Sequence, residues 1–382
     1  VNLNGHSVLF IRGRDLSVVV QDGLITEIGP AGTFDVPMGA DDIDAGDLIL
    51  APGLVDIQIN GGFGHDFTHE PDSIWDVGSR LPEFGVTAFV PTVVTSSAPA
   101  RESMLRTLAD GPPAGYRGAM PLGAHFEGPF ISPSRSGAHD PAFLRVPADA
   151  EPDVATWTAA SGVRMVTLAP ELEGALDLTR ALVSRGVVVS AGHSAASHDQ
   201  AVAGFDAGIT YTTHLFNAME ELGHREPGLA GAALADARVT VGLIADGIHS
   251  HPAVVRLAAA VARDRLSLVT DATAAMGMAP GRYMLGGRDV VLDATSVRLA
   301  SDGRLAGSAL TADEALRRFL SMTEWTAADA IATMTSVPAR LLKLTDRGGL
   351  RVGGRADLAL FTPDLEVVAT FIGGVAEHGP WR

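Results

Sequence analysis

The chain has 382 residues, 46% of them hydrophobic, a formal net charge of −17 and no cysteine. That length exceeds one small core and suits one large α/β barrel with an attached piece, or two domains. The acidic balance argues against binding a nucleic-acid backbone, no apolar run reaches the roughly 18 residues of a membrane span, and without cysteine there can be no disulfide, thiolate ligand or thiol catalysis.

The N-terminal stretch "VNLNGHSVLF" has no basic region followed by a long apolar run, so it does not read as a secretory signal, and the cytoplasm is the expected compartment. Residues 1–50 read as short strands, "VLFIRG", "SVVVQDG" and "LITEIG", broken by Gly and Asp. Residues 350–375 have the same texture, so the early and late segments can pair into one small sheet, with two separate edge hairpins as the competitor. Between them, apolar β-branched runs recur at 54–60, 85–92, 120–128, 163–170, 186–194, 208–217, 239–247 and 266–272, separated by Ala- and Leu-rich helical stretches. Eight such strands predict a (β/α)8 TIM barrel over 51–345, with a small β-sandwich domain built from 1–50 and 346–382. An open doubly wound sheet is the alternative, but it would want an early G-x-G-x-x-G before a helix. After strand eight, 275–307 reads as an irregular insertion with a hairpin-like piece. "TADEALRRFLSM" then opens with Thr311 as N-cap and Glu314 three on, a capping box, with Ala315, Leu316, Phe319 and Leu320 as one apolar stripe.

Barrel active sites lie at the carboxyl ends of the strands. Standing there are Gln58 and Asn60 (strand one), His125 and Glu127 (three), His193 (five), His214 and Asn217 (six), Asp246 and His249 (seven), and Asp271 (eight). Glu127, His193 and His214 offer one anionic oxygen and two imidazole nitrogens, a trio that suits one divalent metal per subunit, Zn2+ first, with Fe2+, Co2+, Mn2+ and Cd2+ as alternatives. Asp271 is then placed as general base toward an attacking water. Lys343 is the sole lysine and lies outside the strands, so no carboxylated lysine at strand four can bridge two metals. Gln58 and Asn60, one residue apart on one strand face, are poor ligands. They are expected behind the metal, hydrogen-bonding to Glu127, to the water or to each other. His125 shares the face of Glu127 and is expected behind the metal as well. His65 and His69 sit in a Gly-rich loop and read as exposed, and His251 reads as a helix start.

The stretches "PGLVDIQINGG", "GAHFEGPFIS", "GAHDP", "SAGHS", "THLFNAM", "REPGLAGA", "ADGIHSHP" and "LVTDATAAMG" resemble the N-acetylglucosamine-6-phosphate deacetylases of the amidohydrolase superfamily, over nearly the whole chain. The resemblance implies Glu127, His193 and His214 as metal ligands and Asp271 as the residue that takes a proton from water and gives one to the departing amine. It implies His139 as a histidine that touches the sugar and helps polarise the acetyl carbonyl. Asn217 and Ala218 would form a phosphate-binding turn, and His249 would touch substrate. Arg225 would reach the phosphate of the neighbouring subunit, which implies a homodimer. Without the resemblance, His139 reads as a surface histidine and Arg225 as a solvated charge. The alternatives are a deacetylase of another N-acetyl hexosamine phosphate such as N-acetylgalactosamine 6-phosphate, a cyclic amidase of the dihydropyrimidinase type, and a non-catalytic sugar-phosphate binder. The cyclic amidase predicts a strand-one histidine pair and a bridging lysine, and both are missing.

Overall fold

The computed structural model describes residues 8–149 and 152–382. Residues 1–7 of the stretch read for a secretory signal lie outside the described residues. Eight parallel strands form a barrel: β1 (Leu54–Ile59), β2 (Val86–Val94), β3 (Ala124–Glu127), β4 (Val163–Leu168), β5 (Val188–Ala191), β6 (Tyr211–Thr212), β7 (Thr240–Leu243) and β8 (Leu266–Leu268). They pair in chain order from β1 to β8. The seam between β8 and β1 closes just beyond the strands, where Ile59 bridges Ala272 and the Asp271 amide donates to the Gln58 carbonyl at 2.9 Å. All nine residues of β2 and all six of β1 are buried, as expected of a parallel sheet covered on both faces.

Every expected barrel strand is present, but several are shorter. The run 208–217 contributes only Tyr211–Thr212, and 186–194 only Val188–Ala191. The missing ends are turns. His193, His214 and Asp271 lie in them with φ of 49°, 25° and 48°, a left-handed backbone that non-glycine residues adopt at a cost on the order of 1 kcal/mol each.

The terminal segments form two four-stranded sheets, as the expected small β-sandwich requires, rather than pairing into one sheet. One is built from Val8–Arg12, Leu16–Gln21, Leu24–Pro30 and Asp41–Asp44; in the other, Ile49–Pro52 pairs antiparallel with Leu358–Phe361. Ile11, Val18, Leu358, Leu360 and Phe371 meet in one core between them, the arrangement of a sandwich. The insertion after β8 is also more regular than expected. Gly281–Leu285, Arg288–Leu292 and Val297–Leu299 make a three-stranded antiparallel sheet with its own apolar cluster, which includes Val94 of β2.

The helix Ala312–Met322 buries Ala315, Leu316 and Phe319 of the expected stripe, with Leu320 only half-buried, and its capping box does not form. The Thr311 hydroxyl donates to Asp313, and Glu314 is drawn along the helix to Arg318. A capping box does form at Ser197 and Gln200, opening the helix His198–Ala207. Among the described residues, no helix is long and apolar enough to cross a membrane.

Candidate active site

A cavity of about 290 Å³ opens at the carboxyl end of the barrel. On its floor, the Nε2 atoms of His193 and His214 lie 3.1 Å apart, and each is 3.1–3.2 Å from Glu127 Oε1. Ligand atoms about 2.1 Å from a shared cation are separated by about 3.0–3.4 Å, depending on the coordination angle. The triangle therefore has the size of one face of a metal site. His193 donates its Nδ1 hydrogen to the Arg135 carbonyl at 3.0 Å, which leaves the Nε2 lone pair facing the triangle. Burial pushes the Glu127 carboxyl up, but hydrogen bonds and charge shared with His193 and His214 outweigh it and hold Glu127 well below the usual range.

His139 is close as well, and with Glu127 and His193 it forms a buried group of donor atoms lying within 4.8 Å of one another. Its ring chemistry separates it from the triangle. The Thr95 backbone N–H donates to His139 Nδ1 at 3.1 Å, so Nδ1 must be the acceptor. Burial first, and the charge of His193 next, lower its pKa to about 3, so the ring is neutral. The remaining proton then sits on Nε2, 3.8 Å from Glu127 Oε2. A protonated Nε2 cannot ligate a metal, but it can donate to an oxygen in the cavity. The loop position suggested a surface residue; His139 is only 4% exposed.

Asp271 accepts from Asn60 Nδ2 at 2.8 Å and from Gln58 Nε2 at 3.3 Å, and the same Gln58 Nε2 donates to Glu127 Oε1 at 3.0 Å. Two neutral amides thus brace two buried carboxylates. Their own oxygens, Gln58 Oε1 and Asn60 Oδ1, are buried without a partner. Burial, then the Glu127 charge, push Asp271 up to about 6, against the opposing pull of His214, Asn60 and His249.

His125 is set below the floor. Its nitrogens face Thr92 (3.2 Å) and Thr167 (2.7 Å), and neither meets the triangle. Burial lowers its pKa to about 4. His249 lines the cavity and is aimed by Asp246, which accepts from its Nδ1 at 2.7 Å and from its backbone N–H at 2.8 Å. Asn217 and Ala218 also line the cavity, although the Asn217 amide is spent on the His214 and Leu215 carbonyls. Positive φ at His214, Phe216 and Ala218 winds this turn left-handed at alternate residues, with the Leu215 N–H donating to the Gly242 carbonyl and the Asn217 N–H to the His214 carbonyl. Arg225 is exposed and does not line the cavity of its own chain. His251 caps Pro252–Val261, as expected of a helix start, while His65 and His69 pair with Glu70 and Asp66 outside the site. Sequence reasoning missed Thr95, Arg135 and Arg304. Thr95 was within reach, because β2 runs two residues past its expected end.

Residues 49–376 match the model of the amidohydrolase family. The chain belongs to that family. N-acetylglucosamine-6-phosphate deacetylase of Bos taurus is 41% identical over 346 residues, 87% of this chain and 84% of its own. N-acetylgalactosamine-6-phosphate deacetylase of Escherichia coli O157:H7 is 38% identical over 362 residues, 94% of both chains. Among solved structures, a variant of the Mycobacterium smegmatis N-acetyl-D-glucosamine-6-phosphate deacetylase, in complex with N-acetyl-D-glucosamine-6-phosphate, aligns with a TM-score of 0.88 and 34% identity over 97% of this chain and 99% of that one. The Thermotoga maritima N-acetylglucosamine-6-phosphate deacetylase aligns at 0.83 with 31% identity over 98% and 99%. For this amidohydrolase, the Glu/His/His triangle fits a single divalent cation.

Proposed function

We propose that this amidohydrolase hydrolyses the N-acetyl group of N-acetylglucosamine 6-phosphate, giving glucosamine 6-phosphate and acetate. The observation that carries the reading is the floor of the cavity. A metal-sized donor triangle, a base-capable carboxylate and a neutral imidazole N–H converge there, and relatives named for this activity are 37–41% identical to the chain over the aligned residues. Glu127, His193 and His214 would hold one divalent cation, Zn2+ before Fe2+, Co2+, Mn2+ or Cd2+. When bound, it supplies a Lewis acid toward the acetyl oxygen and the attacking water.

The chain's own residues do the rest. His139 Nε2–H donates to the acetyl carbonyl oxygen. Asp271 takes a proton from water as the new C–O bond forms. It returns that proton to the amine nitrogen as the C–N bond breaks. Gln58 and Asn60 keep Asp271 aimed without adding a competing ligand. His249 and the Asn217–Ala218 turn contact the sugar phosphate. Arg225 reaches the neighbouring subunit's site in a homodimer. Among the described residues, 8–50 and 346–382 form the small β domain beside the barrel of 51–345.

A second reading has a specific support: the galactosamine-type relative covers 94% of both chains. Acetate release measured over N-acetylglucosamine and N-acetylgalactosamine, each with and without 6-phosphate, with metal analysis of the same sample, decides between them. Preference for the gluco phosphate is the expected result. Preference for the galacto phosphate overturns the substrate, and release from neither overturns the reaction.

A further inference from the structure

A phosphate at one end of the cavity needs a cation. Two arginines line this cavity, Arg135 and Arg304. Arg304 pairs within its own turn, with Nε and Nη2 both on Asp302 Oδ2 at 3.0 and 2.7 Å, and none of its nitrogens is buried without a partner. Arg135 is not saturated. Its Nη2 pairs with Glu220, while its Nε is buried with no hydrogen-bond partner. The two paired side chains are 33% and 44% exposed, and an ion pair that open to water is weak and exchangeable.

The placement is specific. The Arg135 carbonyl is fixed on His193 Nδ1. Two residues on, a Cβ added at Gly137 would stand 3.2 Å from His193 Cε1 and 3.7 Å from the Ala218 Cβ. The loop carrying Arg135 therefore packs against the left-handed 214–218 turn, and the Arg135 side chain bonds Glu220 just past that turn. The Arg135 guanidinium and the 214–218 turn share one wall, while Arg225 of the same chain is absent from it. Arginine grips a phosphate through two parallel N–H bonds, and a dianion outbids a single exposed carboxylate.

We propose that Arg135 is a specificity-determining residue that binds the substrate's phosphate from within the same chain, with Glu220 as the counter-ion that the phosphate displaces. This rests on the deacetylase reading above. The test compares wild type, Arg135→Ala, Arg135→Lys, Arg225→Ala and Glu220→Gln. Acetate release is measured with N-acetylglucosamine and its 6-phosphate, and calorimetric titration with glucosamine 6-phosphate.

In Arg135→Ala, KM for the phosphorylated sugar should rise about tenfold more than KM for the plain sugar, at wild-type metal content. Arg135→Lys should recover part of the loss, and Glu220→Gln should lower KM for the phosphorylated sugar. A role confined to holding the loop would move both substrates equally, and that result overturns the proposal. So does an effect confined to Arg225→Ala. Absence of acetate release by the wild type would sink the deacetylase reading alone. The anion site would still stand if Arg135→Ala weakened glucosamine 6-phosphate binding, and would fall if binding were unchanged.

Discussion

The floor and the rim of the cavity are built on different principles. On the floor, Glu127, His193, His214 and Asp271 are each at most 7% exposed; amides hold Glu127 Oε1 and Asp271 Oδ1, and a backbone carbonyl holds His193 Nδ1. On the rim, Arg135, Glu220 and Arg304 sit on loops, a third or more exposed, in ion pairs that water can exchange. The floor must hold charges at fixed separations, so it uses buried neighbours that cannot move away. The rim must admit and release an anion, so its contacts are weak by construction. Chemistry and recognition are therefore separable here, and variants should expose that separation.

The largest break comes at Asp271. Asp271→Asn should lower acetate release about 10³-fold while leaving bound metal unchanged, because it removes the proton acceptor and not a ligand of the triangle. Full activity would remove Asp271 from the mechanism. Next is Glu127→Gln, which takes the one anionic oxygen from the triangle. Metal content by mass spectrometry should fall well below one per chain, with activity falling in step. Retention of a full equivalent would place the cation elsewhere.

The pH profile sharpens the same contrast. Asp271, pushed up to about 6, must be ionised to accept a proton, so kcat/KM should climb as pH rises through its pKa. A bound cation favours the carboxylate, which puts the midpoint at or below pH 6. His139, at about 3, adds no limb above it. A midpoint above pH 7 would assign the limb to another group. The smallest effects lie outside both floor and rim. Gln200→Ala breaks a formed capping box and should cost about 0.5–1 kcal/mol in denaturant melts. Glu314→Ala breaks only an exposed pair with Arg318 and should cost about 0.3–0.5 kcal/mol. Neither should change kcat/KM.

Much of the floor was legible in the sequence. Apolar runs of strand length, alternating with helices, specify the barrel, and residues of metal and base chemistry stand where those runs end. Gln58 and Asn60 read as poor ligands because amides do not ionise, and the structure adds a contact for each: each donates to a carboxylate. The backbone of the floor was not legible. Nothing in the residue types His193, His214 and Asp271 announces left-handed φ, since tertiary contacts impose it on them. His139 was misjudged without the resemblance, because a loop residue's burial depends on what folds over it, here Thr95 and the wall of the cavity. The Thr311–Glu314 box failed because Arg318, four residues on, competes for the same carboxylate, a contest that spacing alone does not decide. The rim was the least legible part. Arg135 gains its meaning from Glu220 and the 214–218 turn, which are distant in sequence.

If a single cation on the floor supports deacetylation, one titration shows it. Metal-free protein receives Zn2+ in steps while acetate release from N-acetylglucosamine 6-phosphate is followed. Activity should climb linearly and stop at one equivalent per chain. A plateau only at two equivalents, or no release at any loading, would contradict it.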